Sequence, residues 1–72
     1  MLRVRLAVLL AENKMNVADL HRITGIRYNT LNDYNNEMAL SIKFEHIDKI
    51  CYALDCTPDD LFKYERTPPI QD

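Results

Sequence analysis

Residues 16–36 read NVADLHRITGIRYNTLNDYNN, and the reading of this stretch decides the fold. It contains Gly25, the only glycine among 72 residues. Apolar residues recur before it at Val17, Leu20 and Ile23, and after it at Ile26, Leu31 and Tyr34. The first set has the three-residue spacing of one helix face, and the second resumes beyond the glycine. Asn16 is a good N-cap, with Asp19 three residues later near the positive end of the helix. Gly25 enters the left-handed region without a Cβ penalty, so this helix ends at Thr24. A second helix follows over about Arg27 to Tyr34.

The flanks extend the pattern. Upstream, Leu2, Leu6, Leu9 and Leu10 form a stripe that predicts a helix from about Leu2 to Asn13, closed by Asn13-Lys14. Downstream, Asn35 to Ala39 is polar and irregular. Ser41 then caps a fourth helix with Ile42, Ile47, Ile50, Cys51 and Leu54 on one face. Thr57-Pro58-Asp59-Asp60 is a strong helix start: a capping hydroxyl, a proline suited to the first helical position, and two acids at the positive end. Leu61 and Phe62 give this short fifth helix something to bury. The chain is therefore expected to be all-α, a compact five-helix domain over residues 1–66 followed by an extended tail, TPPIQD, over 67–72.

Size and composition narrow the function. A chain of this length buries only roughly 60% of its unfolded surface. Its stability should lie near the low end for native domains, about 5 kcal/mol, which leaves little to hold a strained catalytic site. A hydrophobic content of 47% with 28% charged residues is that of a folded protein. The apolar run Leu6 to Ala11 is too short to span a bilayer. Arg3 and Arg5 precede it in a faint imitation of a signal peptide, but no small-residue cleavage site follows, so the expected location is the cytoplasm. Cys51 and Cys56 lie at neither a zinc nor a redox spacing and read as reduced, mostly buried thiols. His21 and His46 lie far apart with no second ligand at metal spacing, so neither a metal nor a cofactor is expected. No nucleophile–base constellation, glycine-rich phosphate loop or paired-carboxylate motif is present, and the chain does not read as an enzyme. The net charge of −2 is unevenly spread. Residues 1–36 carry five basic against three acidic groups, and residues 37–72 carry four against eight.

Helix, tight glycine turn, helix is the arrangement that presents a second helix to the major groove of DNA. The stretch DLHRITGIRYNTLNDY and the later KICYALDCTPDDLF resemble the lambda-repressor-like helix-turn-helix family, also called the Cro/repressor or XRE type. The resemblance runs from about Leu2 to Tyr64. It implies double-stranded DNA as partner, with the third helix reading bases through Tyr28, Asn29, Asn32 and Asp33. Asn29 suits bidentate bonding to adenine, and Asp33 suits acceptance from cytosine. Tyr28 offers a flat face to a thymine methyl. Contacts to the DNA backbone fall to Asn16, Val17, Arg27, Thr30, Asn36 and Lys43. The chain departs from the family at Val17, often Gln, at His21, often Ala, and at Arg27, usually a capping Ser or Thr. The loop after the third helix, Asn35-Asn36-Glu37, lacks the usual basic residues. A single module contacts little DNA, roughly 600–1,000 Å², so a homodimer on a palindromic site is expected. Leu61, Phe62, Tyr64 and Ile70 are its candidate contacts. The acidic C-terminal half and the sparse phosphate-binding residues support an alternative, a protein-interaction module of antitoxin-like or anti-repressor type on the same scaffold. Fold alone does not decide between them.

Overall fold

Asn16 and Thr57 begin two helices by the same chemistry. The Asn16 side chain accepts from the Asp19 N–H at 2.8 Å, and the Asp19 carboxylate accepts from the Asn16 N–H at 3.0 Å. Thr57 and Asp60 repeat the exchange at 3.3 and 3.1 Å, with Pro58 opening the helix between them. Each box pairs N–H groups that a helix start or its cap would otherwise leave open. A computed structural model of the chain describes residues 1–66. Its elements, in order, are β1 (Leu2–Val4), α1 (Leu6–Glu12), α2 (Val17–Thr24), α3 (Tyr28–Asn35), α4 (Phe44–Leu54), α5 (Pro58–Leu61) and β2 (Phe62–Tyr64).

One core joins the five helices. Leu6, Leu20, Leu31, Ile50 and Leu61 are fully buried, one from each helix in turn. Leu9, Leu10, Val17, Ile26, Tyr34 and Leu54 complete it. Burying a leucine or isoleucine stabilises by about 1.5–3 kcal/mol, so each helix is held chiefly by this shared contact. Cys51 and Cys56 are free and half-buried beside it. Burial, with Cys51 as the next cause, pushes the Cys56 thiol up to about 11, so it stays protonated and unreactive near neutral pH.

Three sequence expectations give way. The first helix begins at Leu6, because Leu2–Val4 instead pairs antiparallel with Phe62–Tyr64 in the register Leu2↔Tyr64, Arg3↔Lys63, Val4↔Phe62. The mainly helical fold thus carries a small terminal ribbon, and Leu2 lies largely exposed on it. Ile23 is also exposed, since the core position at this end of α2 goes to Ile26 beyond the turn. The fourth helix starts at Phe44 with Lys43 as N-cap and no side-chain cap, so Ser41 is not its cap. Residues 38–43 form an irregular segment in which Ala39 and Ile42 pack on the core. The extended tail expected over 67–72 lies outside the described residues.

Candidate nucleic-acid interface

The turn between α2 and α3 is built from α2 outward. Gly25 takes φ 74° and donates its N–H to the His21 carbonyl at 2.9 Å. Ile26 then drops into the core, and side chains of α2 pair both of its backbone groups. Its N–H donates to Thr24 Oγ1 at 3.2 Å, and its carbonyl accepts from His21 Nδ1–H at 2.6 Å. Because a carbonyl only accepts, this bond places a proton on His21 Nδ1. The His21 ring also meets Tyr28 edge to face, 6.4 Å between centroids at 81°. The turn therefore fixes both the entry of α3 and the first side chain on its outer face.

On α3, Leu31 and Tyr34 point into the core. That leaves Tyr28, Asn29 and Asp33 exposed and Asn32 half-buried. Asn29 and Asp33 are one helical turn apart, as are Tyr28 and Asn32, so the four expected readers share one side of the helix. Arg27 stands at the N-cap and makes no capping bond. The first-turn N–H groups consequently keep the positive partial charge of a helix start.

The expected backbone contacts divide. Arg27, Asn36 and Lys43 are exposed, and Thr30 is half-buried. Asn16 spends its side-chain oxygen and its N–H on the capping box, which leaves its side-chain amide N–H groups as donors. Val17 packs its side chain into the core, as the apolar spacing expects, and its backbone N–H lies at the helix start. Among the described residues, neither Arg27 nor Lys43 forms a close ion pair. Three other cations are engaged: Arg3 with Glu37 and Glu65, Arg22 with Asp19, and Lys49 with Glu45. The dimer candidates divide too. Leu61 is a core residue and offers no contact surface, Phe62 is half-buried, Tyr64 is exposed, and Ile70 lies outside the described residues.

The far end of α3 is tied down by residues the sequence reading did not select. Glu37 accepts from Arg3 Nε at 2.8 Å, from Arg3 Nη2 at 2.7 Å and from the Val4 N–H at 3.0 Å. The Arg3 bonds, and then the Val4 N–H, hold the Glu37 carboxyl down at about 2, while Glu37 and Glu65 hold the Arg3 guanidinium above its ordinary value. Tyr34 is buried, which raises its phenol, and its oxygen accepts from the Lys43 N–H. Its own proton is then free for His46 Nδ1, 2.7 Å away on α4. No local signal marks Glu37 or His46, since each meets a partner distant in sequence. His21 carries a weak signal, a polar ring inside the motif where the family is often small.

No described helix is long and apolar enough to cross a membrane. No solved structure matches the chain at a significant level. Among curated proteins, the chain is 34% identical over 61 residues to the uncharacterized HTH-type transcriptional regulator YozG of Bacillus subtilis (strain 168), covering 85% of this chain and 73% of that protein. It is 33% identical over 49 residues to the SPbeta prophage-derived uncharacterized HTH-type transcriptional regulator YopS of the same organism, covering 68% of this chain and 66% of that one. The family model for the Cro/C1-type HTH DNA-binding domain matches residues 5–67. With a glycine-ended α2 followed by an α3 that displays its polar side, this chain belongs to the Cro/C1-type helix-turn-helix family, whose members are DNA-binding domains and not enzymes.

Proposed function

We propose that the chain is a transcriptional regulator that binds duplex DNA sequence-specifically and acts by occupying an operator. In this reading α3 enters the major groove, and Tyr28, Asn29, Asn32 and Asp33 meet base edges. Asn29 bonds adenine, Asp33 accepts from cytosine, and Tyr28 lies against a thymine methyl. Arg27, Lys43, Asn36, Thr30 and the starts of α2 and α3 hold the phosphates. The observation that carries the reading is the exposed pair Asn29 and Asp33 beside an uncapped helix start, where the exposed Arg27 makes no capping bond. Two such domains on a palindrome supply the contact area that one lacks.

Selection from random duplexes at low and moderate salt tests this. The expected outcome is a preferred half-site and a shallow log–log salt slope, about −2 to −4 per protomer, because few cations are free to meet phosphate. Asn29→Ala should lose about 1–3 kcal/mol on the preferred site and relax one base, whereas Arg27→Ala should weaken all duplexes alike. Failure to select any duplex at low salt overturns the proposal and favours a protein partner.

A further inference from the structure

His21 spans the turn between α2 and α3. Its carbonyl accepts the Gly25 N–H at 2.9 Å, its Nδ1–H donates to the Ile26 carbonyl at 2.6 Å, and its ring meets Tyr28 edge to face. A single side chain of α2 thereby joins the turn to the first residue of α3. The bond to Ile26 decides how that side chain is oriented. Ile26 is buried in the core, so its carbonyl is an acceptor held in place. An imidazole bonded through one nitrogen to such an acceptor has little rotation left, because the bond weakens steeply as it bends. The His21 ring is therefore a fixed wall beside the start of α3.

Tyr28 has little else to hold it. It is 48% exposed and follows an N-cap that makes no side-chain bond. Among the described residues its ring contact is with His21, 6.4 Å between centroids at 81°, and no hydrogen bond engages its hydroxyl. An exposed tyrosine at a helix start has more than one staggered χ1 well open to it, and each aims the ring at a different place. An edge-to-face contact with a fixed partner favours one of them. The hydroxyl is left available to whatever the outer face of α3 meets.

We propose that His21 sets base specificity through Tyr28, as a positioning residue. Held by the Ile26 carbonyl, its ring selects the Tyr28 orientation in which the phenol meets a base edge. His21 needs no contact with DNA to do this. The consequence for base reading rests on the DNA-binding reading. The orientation of Tyr28 in the free protein does not. Asn29 supplies an internal control. It stands next to Tyr28 on α3, and among the described residues no hydrogen bond links it to His21. The base that Asn29 reads should therefore be indifferent to the imidazole. His21→Asn is the informative substitution, because the amide N–H of Asn can stand in for Nδ1–H toward Ile26 while the ring is lost.

Two measurements on the full chain test this. In the free protein, NMR side-chain couplings should show one dominant Tyr28 χ1 in the parent and an averaged χ1 in His21→Asn, with the fold unchanged. On DNA, duplex selection compares the parent, His21→Asn, Tyr28→Ala and Asn29→Ala. His21→Asn should lose roughly 3–10-fold discrimination at the base position that Tyr28→Ala also relaxes, the size of an aromatic pair contact. It should leave the position relaxed by Asn29→Ala as it is in the parent. Added to Tyr28→Ala, it should change base preference no further, since its effect passes through the phenol. An unchanged Tyr28 χ1 in His21→Asn, an equal loss at both base positions, or a further change in the double variant overturns the proposal. If no protein selects a duplex, the DNA reading fails, and the couplings still decide whether His21 orients Tyr28.

Discussion

The two ends of α3 are held in opposite ways. At the N-terminal end, Gly25, Thr24 and His21 work within a few residues of the helix they orient, through backbone conformation and local side-chain-to-backbone hydrogen bonds. At the C-terminal end the tie comes from Arg3, 34 residues away, through a bidentate ion pair to Glu37, and from His46 on α4. The Glu37 pair is exposed and so is weakened by salt and by acid. Among the described residues, the Gly25 turn is closed by no ion pair. The end that carries Tyr28 and Asn29 is thus fixed by interactions insensitive to the ionic atmosphere that phosphates bring. The ion-dependent tie sits at the other end.

The largest expected effect comes from breaking the local end. Gly25→Val should cost about 1–3 kcal/mol, because a β-branched residue fits the left-handed region poorly. A Cβ at this position would meet nothing within 4 Å, so the cost is backbone strain and not collision. Gly25→Asn should therefore lose much less, since Asn tolerates positive φ. Urea denaturation of both variants checks the contrast, and equal losses would point to crowding instead. The strain should also tilt α3, so that DNA binding falls even in molecules that remain folded.

The next effect is at the distal end. Tyr34→Phe removes the acceptor of the Lys43 N–H and the partner of His46 while keeping the ring in the core. A loss of about 0.5–1.5 kcal/mol is expected in the same denaturation experiment. Unchanged stability would mean that water replaces both bonds and that α3 is held to α4 by packing alone.

This contrast also explains how much of the fold was legible in the sequence. The signals at Asn16, Gly25 and Thr57 act over three to nine residues, so a linear reading finds them. The apolar face of α2 was read one residue too far, at Ile23, because spacing does not reveal where the chain leaves the helix and lets Ile26 take the core position. Leu2 was assigned to a helix because its alternation with Arg3, Val4 and Arg5 acquires meaning only when Phe62, Lys63 and Tyr64 alternate beside it. Two three-residue strands are too short to announce themselves separately. The candidate readers on α3 are what the family resemblance implies by position in the motif, and helix geometry agrees in turning Leu31 and Tyr34 into the core and away from that side. Glu37 was beyond reach: its left-handed backbone (φ 56°) closes α3 locally, with the Met38 N–H on the Asp33 carbonyl, but no glycine marks the position, and its partner Arg3 is brought to it only by tertiary structure.

Acid separates the two ends more gently. The Glu37 carboxyl ionises at about 2 in the folded chain against an ordinary value of 4.5. A depressed carboxylate contributes stability that is fully present above the unfolded value and is lost as pH falls through the folded one. The melting temperature should therefore drop between pH 5 and pH 2, and drop less in Glu37→Gln. Glu45, also lowered through Lys49, is common to both proteins and cancels in the difference. Parallel pH profiles would show that the Arg3 pair contributes nothing to folding.

Glu37→Gly should give the smallest change, because it sets two effects of opposite sign against each other. Glycine relieves the positive φ that Glu37 adopts at the end of α3, as Gly25 does at the end of α2. It also deletes the carboxylate that clamps Arg3 and Val4. Near neutral pH the relief and the loss oppose, and the melting temperature should stay close to the parent's. At pH 3 the parent has already begun to lose the ion pair while the variant keeps its relaxed backbone, so the variant should melt higher. A variant that melts well below the parent at both pH values would mean that the Glu37 side chain holds β1 to α3 through contacts beyond its charge. A variant that melts higher at both would make the clamp negligible and the two ends of α3 alike in being governed by backbone conformation.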